Sequence, residues 1–195
     1  HYMEKRATVF CASSKKIDKV FYEAARETGK ILVENNYTVV YGGGSVGLMG
    51  ELSKTVLELG GNIEGVIPEF MYKLEWGNPA IKVMTITKDL HERKKLLIKN
   101  SDVVIALPGG SGTLEELVEV ISLKRLGIFL KPIIIVNTKN FYDPLIELFK
   151  KMVEEKFLNP HHLKMWSVIQ HPDELIDVIE KSNQYDKSSP DYPLI

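Results

Sequence analysis

The chain has 195 residues, of which 44% are hydrophobic and 26% charged, with a formal net charge of -1. That balance describes an ordinary globule and leaves no electrostatic excess for general nucleic-acid binding. No apolar stretch approaches the roughly 20 residues that a membrane span needs, and a single cysteine, Cys11, has no internal disulfide partner, in keeping with a reducing cytoplasm.

The length suits one domain over residues 3–182. His1-Tyr2 ahead of Met3 reads as an expression remnant, and residues 183–195, polar with two prolines, read as a C-terminal tail or an arm on a partner. Between them, short β-branched runs alternate with longer helical patterns. The strands are expected at Thr8–Cys11, Thr38–Tyr41, Ile63–Ile67, Ile81–Ile86, Asp102–Leu107 and Ile133–Val136, with a short seventh at Val168-Ile169. Helices are expected over Asp18–Asn35, where Val20, Phe21, Ala24, Ala25, Leu32 and Val33 recur at helical spacing, and near 47–59, 89–100, 113–127, 143–157 and 173–182. Pro68–Pro79 has no clear period and reads as a loop or short helix over the sheet edge. The alternation predicts an α/β, Rossmann-like, doubly wound parallel sheet with helices on both faces.

Two glycine turns each follow a strand and open a helix: Gly42-Gly43-Gly44-Ser45-Val46-Gly47 and Pro108-Gly109-Gly110-Ser111-Gly112-Thr113. In a doubly wound sheet both lie on the rim where ligands bind. Free N–H groups at a helix start, with no Cβ to hold a ligand off, suit an anion such as phosphate. Gly42, Gly44 and Gly47 also match dinucleotide-fingerprint spacing, but Glu64 stands near the start of the next strand and not at its end, where the ribose carboxylate belongs.

Just past the second turn stand Glu115 and Glu116. Successive helical residues diverge by about 100°, so only one can face a given reacting atom. Thr113-x-x-Glu116 also has the form of a capping box, a purely structural alternative for Glu116. In Asp89-Leu-His-Glu-Arg-Lys-Lys95, Arg93 and Lys94 put cations near a helix start, against the dipole, and Arg93 offers a planar fork of donors for phosphate or a polarised leaving group. His91, His161, His162 and His171 lack ligand spacing, so no metal site is expected.

The three segments Gly42–Gly50, His91–Lys94 and Pro108–Glu116, in this order and at these intervals, closely resemble the LOG family of cytokinin riboside 5'-monophosphate phosphoribohydrolases over about residues 7–180. The resemblance implies hydrolysis of the N-glycosidic bond of a nucleoside 5'-monophosphate, of the AMP or cytokinin type, to free base and ribose 5-phosphate. It also implies no cofactor, and a homodimer with its site near the interface. Carried over by motif, the catalytic pair is Arg93 and Glu116. The substrate-binding set is Glu75, Lys94, Gly110, Ser111, Gly112, Thr113, Glu115 and Ser122, with Gly43, Gly44 and Ser45 as weaker candidates. Leu123-Lys124-Arg125 departs from the tryptophan-containing stretch usual there, so base preference does not carry over. The competing reading is a non-catalytic nucleotide or cofactor carrier, since related Rossmann-like proteins bind molybdenum cofactor or single-stranded DNA. Some relatives carry the label lysine decarboxylase, yet the sequence shows no pyridoxal-phosphate lysine with its partners.

Overall fold

A computed structural model describes residues 4–74 and 76–183. Seven strands, β1 (Lys5–Phe10), β2 (Tyr37–Tyr41), β3 (Ile63–Pro68), β4 (Val83–Thr87), β5 (Val103–Ala106), β6 (Ile133–Val136) and β7 (Ser167–Ile169), form one parallel sheet in the order β4-β3-β2-β1-β5-β6-β7. The crossover helices are α1 (Lys19–Glu34), α2 (Gly47–Glu58), α3 (Glu69–Lys73), α4 (Leu90–Ile98), α5 (Ser111–Arg125) and α6 (Asp143–Glu154), and α7 (Leu175–Asn183) follows the last strand. This is the Rossmann-like α/β architecture expected from the alternating pattern.

The side-chain period of two sorts the central strands between two cores. Val39 and Tyr41, Val103 and Ile105, and Ile134 and Val136 enter one apolar cluster. Their neighbours Val40, Val104 and Ala106, and Ile133 and Ile135 enter the other. Burial on both faces is why these strands read as continuous apolar runs.

Differences from the expected elements concentrate where that burial fails: β1 runs Lys5–Phe10 and not Thr8–Cys11, opening on exposed Lys5 and half-buried Arg6. The fourth strand runs Val83–Thr87, two residues later at its start than expected, because β4 is an edge strand with Val83 and Ile86 exposed. The segment after Pro68 contains the short helix α3. The last helix starts at Leu175, after a 3-10 turn over Pro172–Glu174, and runs to Asn183, one residue past the proposed domain end. Residues 1–3 and 184–195 lie outside the described residues, and with them His1-Tyr2 and nearly all of the proposed tail.

Strand order reverses at β1: the chain builds outward through β2, β3 and β4, then returns to pair β5 against the free side of β1. The carboxyl ends of β1, β2 and β5 therefore open onto one crevice, the place where open α/β sheets bind ligands.

Candidate active site

A cleft of about 630 Å³ occupies that crevice, lined by the loop after β1 (Cys11–Lys15), the first glycine turn, the second glycine turn with the start of α5, and Arg93 from α4. Its base is α5, whose N-cap is Gly110 in extended conformation with no side-chain cap. The first N–H groups of this 15-residue helix are left to the cleft. A Cβ added at Gly110 or Gly112 would meet nothing within 4 Å, so the main chain here is open to a ligand.

Helix α5 begins two residues earlier than expected, and this removes the capping-box alternative. Thr113 is the third helical residue, not the cap, and its buried side chain packs beneath Gly109. Glu116 is released from capping. Its carboxyl accepts no hydrogen bond among the described residues; it lines the cleft, and burial raises its pKa to about 7, against the smaller opposing pull of Arg93.

Arg93 is 8% exposed. Its Nε donates to the Val66 carbonyl at 2.9 Å and one terminal nitrogen to the Gly42 carbonyl at 2.6 Å, while the other faces the Met71 sulfur at 3.8 Å. Burial lowers its pKa and Glu116 raises it. The guanidinium is thus a fixed charge in the wall, tied to β3 and to the glycine turn. A side chain at Gly42 would collide with that guanidinium, which gives this glycine a specific reason to be there.

Lys94, one residue on, points elsewhere. Its ammonium pairs with Glu115 at 2.7 Å and Glu119 at 2.6 Å, lashing α4 to α5 outside the cleft. Hydrogen bonds donated to Glu115 and Glu119 raise the Lys94 pKa, and the same contact lowers that of Glu115. The two adjacent carboxylates therefore part as helical geometry requires, Glu116 inward and Glu115 outward.

Of the residues singled out in the sequence, Arg93, Gly110, Ser111, Gly112, Thr113, Glu116, Gly44 and Ser45 line the cleft. Lys94, Glu115, Ser122 and Gly43 do not, and Glu75 lies outside the described residues. Sequence reasoning missed the loop Ala12-Ser13-Ser14-Lys15 and the apolar wall of Met49, Ile67, Met71 and Trp76. The loop's one available signal was its place, small polar residues directly after the first strand. No group of three or more metal-ligating side chains occurs among the described residues, and no helix among them is long and apolar enough to cross a membrane.

Residues 49–179 match the family described as "Possible lysine decarboxylase". The chain is 42% identical over 94% of its length to a protein named probable cytokinin riboside 5'-monophosphate phosphoribohydrolase LOGL2 of Oryza sativa subsp. japonica, covering 75% of that relative. It is 44% identical over 80% of its length to cytokinin riboside 5'-monophosphate phosphoribohydrolase LOG1 of Arabidopsis thaliana, covering 73% of it. The chain belongs to the LOG family. Beyond LOG proteins, its fold is shared at 20% identity and a TM-score of 0.72 with a molybdenum cofactor binding protein from Rippkaea orientalis, over 93% of this chain and 98% of that one. The molybdenum cofactor carrier protein of Chlamydomonas reinhardtii is similar at 21% identity and a TM-score of 0.70, over 93% and 99% of the two chains.

Proposed function

We propose that the chain is a phosphoribohydrolase that cuts the N-glycosidic bond of a nucleoside 5'-monophosphate, of the AMP or cytokinin riboside 5'-monophosphate type, into free base and ribose 5-phosphate. The activity named for its LOG relatives supports this. The observation that carries it is the pairing, on one helix, of an uncapped N-terminus with a desolvated carboxylate one turn further on, both in the same cleft. Gly112 and Glu116 are four residues apart, about 6 Å along the axis, a spacing on the scale of a pentose.

The 5'-phosphate binds the free N–H groups of Gly110 to Thr113, which sets the sugar beside Glu116. As the C1'–N bond breaks, its electron pair leaves with the base and positive charge builds on the ribose, as in glycoside hydrolysis. Glu116, ionised, stabilises that charge and accepts a proton from the water whose oxygen bonds to C1'; that proton finally resides on the base. A carboxyl titrating near neutrality is suited to taking and returning a proton. Arg93, with two donors committed to carbonyls, acts as a fixed positive charge toward the leaving base and keeps the pKa of Glu116 from rising further.

Decarboxylation has no comparable support. Lys15, the one lysine lining the cleft among the described residues, is exposed on its loop, whereas a Schiff-base lysine is activated by desolvation or a neighbouring cation.

The working form we infer is a homodimer in the cytoplasm. Leu114, Val118 and Ser122 follow one another at intervals of four along α5, all exposed, with Glu115 beside them and exposed Leu90 on α4. A second copy packed on this stripe would give Lys94, Glu115 and Ser122 a place in a site that one chain's cleft leaves them out of. Incubation with a panel of nucleoside mono-, di- and triphosphates and nucleosides, with free base read by chromatography, tests the reaction. Base is expected from monophosphates alone. Equal release from adenosine removes the phosphate anchor, and AMP binding without adenine release reinstates the carrier reading.

A further inference from the structure

Among the described residues, the cleft wall carries one aromatic side chain, Trp76, beside Met71, Ile67 and Met49. Trp76 is 56% exposed and makes no ring contact with another described aromatic residue. More than half of this large apolar side chain is left open at the mouth of the cleft among the described residues.

Its backbone is nevertheless held. The Trp76 N–H donates to the Met71 carbonyl at 3.2 Å, Gly77 forms an antiparallel bridge with Gly44, and the Asn78 N–H donates to the Gly43 carbonyl at 2.8 Å. The Asn78 side chain donates to the Ser53 hydroxyl at 3.1 Å, and the Tyr72 ring closes over Gly77. The indole is therefore carried on a segment stitched to the first glycine turn, and its place relative to the cleft is fixed through that turn. Two thioethers, Met49 and Met71, share the wall and supply soft surface suited to a flat π system.

We infer that Trp76 stacks on the heterocyclic base of the bound nucleotide. This rests on the nucleotide reading of the cleft proposed above. A planar base has a π-face whatever its substituents, so stacking supplies affinity without demanding a particular exocyclic group.

The chain has two tryptophans, and the other, Trp166, is buried against Phe149 and is not part of the cleft. Protein emission is titrated with AMP and with ribose 5-phosphate in the wild type and in Trp76→Phe. AMP is expected to quench the wild type and leave Trp76→Phe unchanged, while ribose 5-phosphate quenches neither. Trp76→Leu keeps apolar bulk without a ring face. It is expected to raise KM for AMP about tenfold, with Trp76→Phe near wild type and inhibition by ribose 5-phosphate unchanged in both.

Saturation of the low-turnover Glu116→Gln variant by AMP, measured by equilibrium dialysis, without a change in its emission overturns the inference, as does a wild-type KM for Trp76→Leu. Emission that follows protein concentration and not nucleotide would put Trp76 under a second copy and also overturn it. Quenching by AMP with no adenine released leaves Trp76 as the stacking residue and removes only the hydrolytic reading.

Discussion

The two glycine turns look alike in sequence, each placed after a strand and before a helix, yet space around them is used in opposite ways. At the turn after β2, glycines are crowded: side chains at Gly42, Gly44 and Gly47 would strike Arg93, Met49 and the Ser13-Ser14 backbone. At the turn after β5, Gly110 and Gly112 face nothing within 4 Å. The first turn uses missing Cβ atoms to let the protein approach itself and hold an arginine. The second keeps the main chain clear for something that is not protein. Glycine spacing alone cannot separate these uses, because the distinction lies in what stands opposite each missing side chain.

The comparison can be broken most directly at the acid end of the open turn. Glu116→Gln is expected to lower turnover about 10²-fold or more while the fold survives. The pH dependence sharpens this. With its pKa raised to about 7 by burial, Glu116 becomes the required carboxylate only as pH rises through that value, so wild-type turnover should fall on the acid side of neutrality.

Stability moves the other way. The folded state holds this proton more tightly than the unfolded chain, so the protonated carboxyl's contribution is complete below the ordinary glutamate range and is lost as pH rises to about 7. Glu116→Gln should therefore unfold at higher denaturant than wild type at pH 8, by about 1–3 kcal/mol, and lose the advantage at pH 4. An activity profile flat from pH 5 to 9 would remove Glu116 from the proton path.

Next in size, Gly42→Ala drives a methyl group into the Arg93 guanidinium, with an expected loss of about 1–3 kcal/mol of stability and of most activity together. Gly112→Ala should separate those two readouts. A better helix former in open space raises stability by up to about 1 kcal/mol, while its methyl group intrudes on the anion path and raises KM for AMP about tenfold. If Gly112→Ala keeps the wild-type KM in steady-state assays, the phosphate does not sit at this helix start. The smallest effect is expected from Lys94→Ala, which unties α4 from α5 with little loss of stability, because Glu115 is exposed, and changes turnover by less than tenfold.

Legibility in the sequence followed burial. The core strands β5 and β6 could be read because both faces are covered and their residues are apolar throughout, and β2 and β3 because only Thr38 and Glu64 interrupt mostly buried, apolar-rich runs. β4 slipped because exposed Val83 and Ile86 look no different in sequence from buried Ile81, which precedes the strand. In the site, Arg93 stood out as a cation against its helix dipole, and Glu116 as a carboxylate beyond an anion turn. The start of α5 was misread because Ser111-Gly112 has the composition of a turn, so Thr113 was given a cap's task that Gly110 performs. Inward Glu116 and outward Glu115 were predictable as a divergence but not in direction, since the deciding partner, Lys94, comes from another helix. The Ser13-Ser14 loop has no periodicity, and it enters the cleft only because strand order reverses at β1.

That reversal also governs when the cleft comes into being. β1 meets β5 through contacts such as the Arg6 N–H to the Asp102 carboxylate, 96 positions apart, so closing the crevice means closing a very long loop. During synthesis, β1 through β4 emerge with one edge of β1 unsatisfied, and the uncapped helix α5 is delivered only afterwards. The half-built sheet is thus a ligand-blind and self-adhesive species, and its lifetime on the ribosome sets how much protein is exposed to mispairing at that edge.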